Sequence, residues 1–354
     1  MPIDEKRGIG IGHRGFLRRI VWIDAMKLFA CLLVVLGHLY MSIAASGWID
    51  SHAVVYCLPI QTVYTFHVPL FFVCSGYLYQ MKPPDTSQHE RIRFIKRKLL
   101  DLGVPYLIFS AVTLILKIVF SDSVNNQAPP FFRTLLWEPI APYWYLYTLL
   151  LLFCIIPRQR KRRDTVGLFC VCIIVKIIYI AFPVQNFLPD LVEKICANAI
   201  WFSFGMLLTD VQIRQLLIRR NIGLVCFLVA IGLSASFYSK DNQSLIFQFI
   251  VALLFVYSIT AFFILELKTG DSHWIAALSE YFLPIYVLHT ITAAGARTIL
   301  TKMGISFLPL HVAVGLIASI AIPILIYQFA SKYWWSQFPF EPSKALKRRT
   351  VQNG

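Results

Sequence analysis

Asp24, Lys27 and His38 are ionisable groups in a stretch, residues 22–38, apolar enough to lie in a bilayer. On a helix, Lys27 and His38 fall within roughly 20° of one another around the axis and about 16 Å apart along it. Asp24 lies one turn before Lys27 on nearly the same side, and Cys31 and Ser42 extend the stripe. Ionisable groups are costly in hydrocarbon and persist where they face other protein or a water-filled cavity, often marking a pathway or reaction site. The structural alternative is that Asp24 and Lys27 anchor a helix end while His38 packs through a hydrogen bond. Three polar groups on one face, with more in the next apolar run, weigh against it.

That next run carries His67 and Pro69, then the small pair Ser75-Gly76. Pro69 removes a backbone donor, which inside a membrane implies a kink or a cavity. Ser75-Gly76 is expected to permit close helix packing rather than to supply a nucleophile. A basic run, Arg91, Arg93, Lys96, Arg97 and Lys98, leads into a third apolar segment. Positive-inside topology explains most of that charge, and phosphate binding is the functional alternative. Pro142-Tyr-Trp-Tyr-Leu-Tyr147 opens a later run with aromatics that suit a membrane interface or stacking on a sugar ring. Near the end come Glu280, Tyr281, Tyr286, His289 and Arg297, again in apolar surroundings. Lys117, Lys176, Glu193 and Glu266 lie close enough to run ends to snorkel.

Only 14% of the 354 residues are charged and 58% are hydrophobic, against the near quarter charged of a soluble domain. The fold class is therefore all-α, a polytopic helical membrane protein. Long unbroken apolar runs exclude a closed barrel, whose strands alternate apolar and polar residues. The net charge of +15 gathers in short clusters between runs, which fits topology and contact with membrane lipids, not nucleic acid. All eight cysteines fall in or beside apolar runs and are expected to be small buried residues. Cys170 and Cys172 lack the wider ligand set of a zinc site, so no metal is expected. Met1 to Arg19 is polar and basic and does not resemble a cleavable signal.

About ten spans can be drawn at ~20 apolar residues each: 20–45, 54–80, 99–120, 141–157, 165–183, 189–208, 221–239, 244–266, 275–300 and 306–331. They form one transmembrane domain, 20–331, between basic tails 1–19 and 332–354. The loop 121–140 carries Asn125-Asn126-Gln127 and Pro129-Pro130. The basic clusters fall in the two tails and the alternate connections at 91–98, 158–163 and 214–220; the intervening loops hold Arg133, Lys240 and Lys302. This asymmetry predicts that both termini are cytoplasmic. The first helix then runs outward, with Lys27 near the cytoplasmic mouth and His38 past the middle.

Taken in order, these motifs resemble the acyltransferase-3 family of integral membrane acyltransferases, many of which O-acetylate sugars of cell-envelope or secreted polysaccharides. The likeness covers nearly the whole chain. Asp24, Lys27 and His38 match the first-helix pattern, with Lys27 where the family usually has Arg. Pro69 to Gly76 match Pro-Leu-Phe-Phe-x-x-Ser-Gly. Lys96-Arg97-Lys98 to Pro105 match a basic run ending in Pro, although Asp101 stands where a second paired arginine is common. Trp144 to Tyr147 and Ile285 to His289 match two further patterns.

The resemblance implies an acyl-CoA donor, usually acetyl-CoA, used as a co-substrate with no bound cofactor, and a polysaccharide or lipid-linked saccharide acceptor. It places the protein in a bacterial inner membrane, in envelope or exopolysaccharide biosynthesis. Lys27, Arg93, Arg97 and Lys98 would hold the donor, and Asp24 would orient or balance Lys27. His38 would act as general base on a sugar hydroxyl or carry the acyl group itself. Trp144, Tyr147, Tyr286, His289 and His67 would line the acceptor side or stabilise the oxyanion. A secondary transporter or flippase of lipid-linked saccharide is the rival reading, since polar midplane residues and a Pro-broken span suit it too.

Overall fold

The computed structural model describes residues 20–121, 129–182, 188–236, 244–267 and 273–352. The basic N-terminal tail, Asn125-Asn126-Gln127, Lys240 and most of the 184–188 loop lie outside the described residues. Sixteen helices follow in chain order: α1 Val21–Ala45, α2 Val54–Gln80, α3 Gln88–Lys98, α4 Val104–Val119, α5 Phe131–Leu136, α6 Trp144–Ile155, α7 Arg162–Ala181, α8 Asp190–Leu207, α9 Val211–Leu217, α10 Arg220–Ala235, α11 Leu245–Glu266, α12 His273–Ser279, α13 Phe282–Lys302, α14 Leu308–Ala330, α15 Trp334–Gln337 and α16 Pro342–Gln352. A π-helical turn, Leu99–Gly103, joins α3 to α4.

Among the described residues six helices, counting α3 through α4 as one, are long and apolar enough to cross a membrane, or up to eight if each bent pair is one span. Together with the exposed Leu, Ile, Val and Phe side chains on their outer faces, they make the chain an integral helical membrane protein. Each of the ten expected segments holds a helix, but α6 and α10 are shorter apolar helices, below the length of the rest. Two sharp bends follow, one inside an expected segment and one at the end of another. The segment 275–300 bends by 57° between α12 and α13. Pro284 explains the break, because its ring excludes the helical carbonyl of Glu280. After α8 the chain turns by 111° into α9, where the Asp210 carboxylate caps the new helix by accepting from the Ile213 N–H at 3.0 Å.

α2 lies at the centre, packed on α1, α8 and α11. Its crossing with α8 is made by glycine on both helices. A Cβ at Gly76 would stand 1.9 Å from the Phe202 carbonyl oxygen, and one at Gly205 would stand 2.0 Å from that of Val73. The two backbones touch directly, the packing role expected of Ser75-Gly76. α1 is held between α2 and the α12–α13 pair.

The basic run at 91–98 does more than set topology. Arg91 donates to the Phe153 carbonyl at 2.6 Å, to Cys154 at 3.0 Å and to Ile156 at 3.2 Å, closing the C-terminus of α6. Arg158 pairs with Asp85 at 2.7 Å and lies over the Phe94 ring at 4.4 Å. Of the cysteines, Cys31, Cys74 and Cys172 are buried, Cys57, Cys154, Cys196 and Cys226 are half-buried, and Cys170 is exposed. An apolar thiol on the outer face of α7 is as much at home in hydrocarbon as in a core, so the expectation of burial fails there.

Candidate functional site

The first-helix stripe leads to a cavity. His38, on α1, lines a space of about 290 Å³ together with Tyr64, Thr65, His67 and Pro69 of α2, Pro142, Trp144 and Tyr145 from the start of α6, and Tyr286 of α13. Opposite stand Lys176 and Tyr179 of α7, Asn198 and Trp201 of α8, and Gln248 and Phe249 of α11. Pro69 takes away the N–H that the Thr65 carbonyl would have received in a regular helix, and both residues line the cavity. The cavity expected from a proline within this span is where the proline is.

His38 sits among aromatic and imidazole rings. Its ring centroid is 5.3 Å from that of His289 and 6.3 Å from that of Tyr64. His289 Nδ1 lies 2.8 Å from the Tyr286 carbonyl oxygen and 3.1 Å from that of Ile285. A carbonyl can only accept, so Nδ1 carries the hydrogen and Nε2 of the neutral ring is an acceptor. That Nε2 is buried without a hydrogen-bond partner, on a ring beside His38. His67 is fixed the same way, Nδ1 donating to the Val63 carbonyl at 2.7 Å. With Nδ1 of both rings tied to backbone carbonyls, the open Nε2 of His289 beside His38 is suited to moving a proton.

The aromatic pattern at the start of α6 is a hydrogen-bonded node. The Tyr143 hydroxyl donates to the Val287 carbonyl at 2.9 Å and pairs with the Thr113 hydroxyl at 2.8 Å. Tyr145 and Ser75 pair through their hydroxyls at 3.0 Å. The Tyr286 hydroxyl donates to the Pro142 carbonyl. With tyrosines on both sides tied to α13, α4 and α2, Trp144 is held in the cavity wall. Tyr147 is not part of this wall. It stacks on Tyr106 with centroids 4.9 Å apart, and its hydroxyl donates to the Leu136 carbonyl at 3.3 Å. Three residues after Trp144 on a helix, it turns to the α4–α5 side.

At the other end of α1, Asp24 stands in the first helical turn, and both it and Lys27 act electrostatically on Cys74 of α2. Lys27, Lys82, Arg97 and Asp101 act in turn on Lys98, whose ammonium lies 4.5 Å from the centre of the Phe153 ring. Lys27 thus stands within electrostatic range of Lys98. Arg97 borders it, paired with Asp101 at 3.5 Å. Asp101 fills the position where a second basic residue was absent, and it also accepts from the Ser343 N–H at 3.3 Å. Arg93 points elsewhere, exposed and bonded to His89 Nε2 at 3.1 Å.

The sequence reading passed over Lys176, Asn198, Gln248 and Tyr64. Lys176 was expected to snorkel; instead it is 9% exposed and donates to the Ala197 carbonyl at 3.1 Å. The only signal was a lysine inside an apolar run, which looks alike whether it turns to the interface or to the interior. Asn198 and Gln248 are uncharged and give no periodic signal.

A family model described as an acyltransferase domain matches residues 20–328, nearly the whole chain. No curated protein and no solved structure was found to match.

Proposed function

The chain belongs to the acyltransferase-3 family, a membrane acyltransferase, and from that premise we propose that it moves an acetyl group from cytoplasmic acetyl-CoA to a hydroxyl of an envelope or exopolysaccharide sugar. One observation carries this reading: the imidazole of the first-helix motif lines an aromatic-walled cavity, while Lys27 stands near the opposite end of the same helix, within electrostatic range of Lys98 of α3. A pantetheine arm has to cover about the 16 Å between Lys27 and His38.

Lys27 and Lys98, with Arg97 beside them, hold the phosphates of CoA as point charges and guanidinium contacts. Asp24 balances Lys27. His38 takes the proton of the sugar hydroxyl as its oxygen attacks the thioester carbonyl, and the CoA thiolate leaves on the cytoplasmic side. His38 can instead accept the acetyl group on nitrogen and hand it on. His289 offers its open Nε2 to the proton that moves through His38, His67 lies on the same wall, and Tyr286 braces the wall through Pro142. Trp144 offers a face to the acceptor ring. In this reading the six to eight evident spans are joined by α6 and α10 to give ten, both termini are cytoplasmic, and the membrane is a bacterial inner membrane.

The test is donor dependence. Purified protein in nanodiscs is given acetyl-CoA with and without a crude lipid-linked saccharide extract, and free thiol and transferred radiolabel are followed. Acetylation predicts thiol release that rises with acceptor and matches the label transferred. A chain that neither binds acetyl-CoA nor releases thiol with any acceptor is better described as a transporter or flippase of lipid-linked saccharide.

A further inference from the structure

Lys176 is a buried ammonium in a membrane segment, and the groups that contact it belong to the cavity wall. It donates to the carbonyl of Ala197 at 3.1 Å and lies 5.0 Å from the centre of the Tyr179 ring and 5.3 Å from that of Phe249. Ala197, Tyr179 and Phe249 each line the cavity, as Lys176 does. An ammonium has three N–H donors, and the Ala197 carbonyl takes one. Among the described residues no carboxylate stands within ion-pair distance of it. Glu193 acts on it from further away, with Oε1 already accepting from the Tyr179 hydroxyl at 2.8 Å. The described lining of the cavity contains no Asp or Glu.

A buried charge needs a partner of opposite sign and hydrogen bonds to its remaining donors. From these contacts we infer that Lys176 recognises an anionic group on the acceptor saccharide, a sugar carboxylate or a sugar phosphate. Trp144, Trp201 and Phe249 supply apolar faces for the ring, and Asn198 supplies an amide for its hydroxyls. The inference rests on the acceptor reading of this cavity and narrows it from saccharides in general to acidic ones. It also assigns selectivity to α7, across the cavity from the first-helix motif. Lys176 acts here on binding, and His38 retains the chemistry.

The experiment reads binding without donor, through the fluorescence of Trp144 and Trp201 in full-length protein in nanodiscs. Glucuronate, glucose 1-phosphate and glucose are titrated to tens of millimolar. Wild type is expected to bind at least one of the anions about tenfold or more tightly than glucose, and which of the two it prefers distinguishes a carboxylate from a phosphate. Lys176→Met is expected to erase that preference and Lys176→Arg to keep it. Equal binding of all three sugars, no binding of either anion, or a preference that survives in Lys176→Met overturns the inference. Should Lys176→Met fail to fold, the wild-type preference and the Lys176→Arg variant still decide it. Because acetyl-CoA is absent, a loss of acetyl transfer with the anion preference intact would count against acetylation alone.

Discussion

His289 stands next to His38 with Nδ1 bound to two backbone carbonyls and Nε2 buried without a partner. An open acceptor beside the His38 ring suits a group that orients that imidazole or relays its proton during transfer. His289→Phe is therefore expected to lower kcat for acetyl transfer about tenfold while leaving the KM for acetyl-CoA unchanged. A raised KM with kcat retained would show that it shapes the donor path instead. Single residues were legible where several polar groups share a face, as with Asp24, Lys27 and His38. The helical period brings such groups together whatever the rest of the fold does. Lys176 was not legible, because one charge near the end of an apolar run carries no record of which way it turns. Tyr147 was misplaced for a related reason. A short aromatic motif gives residue types, but its facing depends on neighbours that only the tertiary structure supplies.

At the scale of elements, the α2–α8 crossing decides where the cavity wall stands. Gly76→Ala and Gly205→Ala each push a methyl into backbone of the facing helix, and each is expected to cost about 1–3 kcal/mol or more. Gly167 and Gly232 have nothing within 4 Å of a Cβ built on them, so alanine there is expected to be neutral or slightly stabilising. Thermal melting in detergent separates the two pairs, and equal tolerance at all four positions would contradict a backbone-contact crossing. The helices themselves were legible from long apolar runs, since a bilayer leaves the backbone few alternatives. The turn between α8 and α9 falls where the span 189–208 was expected to end, but the break between α12 and α13 inside 275–300 was hidden, because hydropathy is blind to a local turn. Pro284 and the capping Asp210 account for them only once the helices on either side are seen.

At the scale of the whole molecule, the account requires donor and acceptor to approach from opposite faces of the membrane. On a cysteine-free background, a cysteine at Ser51 is expected to react with an impermeant maleimide in intact cells. One at Gln159 is expected to react only after the membrane is opened. The reverse pattern would place His38 on the donor side and invert the scheme. The spread of basic residues is what predicts this orientation, whereas the cavity formed by helices distant in sequence was not legible, since no local pattern records α7, α8 and α11 lining one space with α1. The claim on which the rest depends is that the imidazole of His38 carries the acetyl transfer. It is tested most directly by following radiolabel from acetyl-CoA into lipid-linked saccharide with wild type and His38→Ala, side by side with acetyl-CoA binding. The account predicts that His38→Ala binds the donor as wild type does and loses label transfer by about a hundredfold or more; transfer at the wild-type rate in that variant would contradict it.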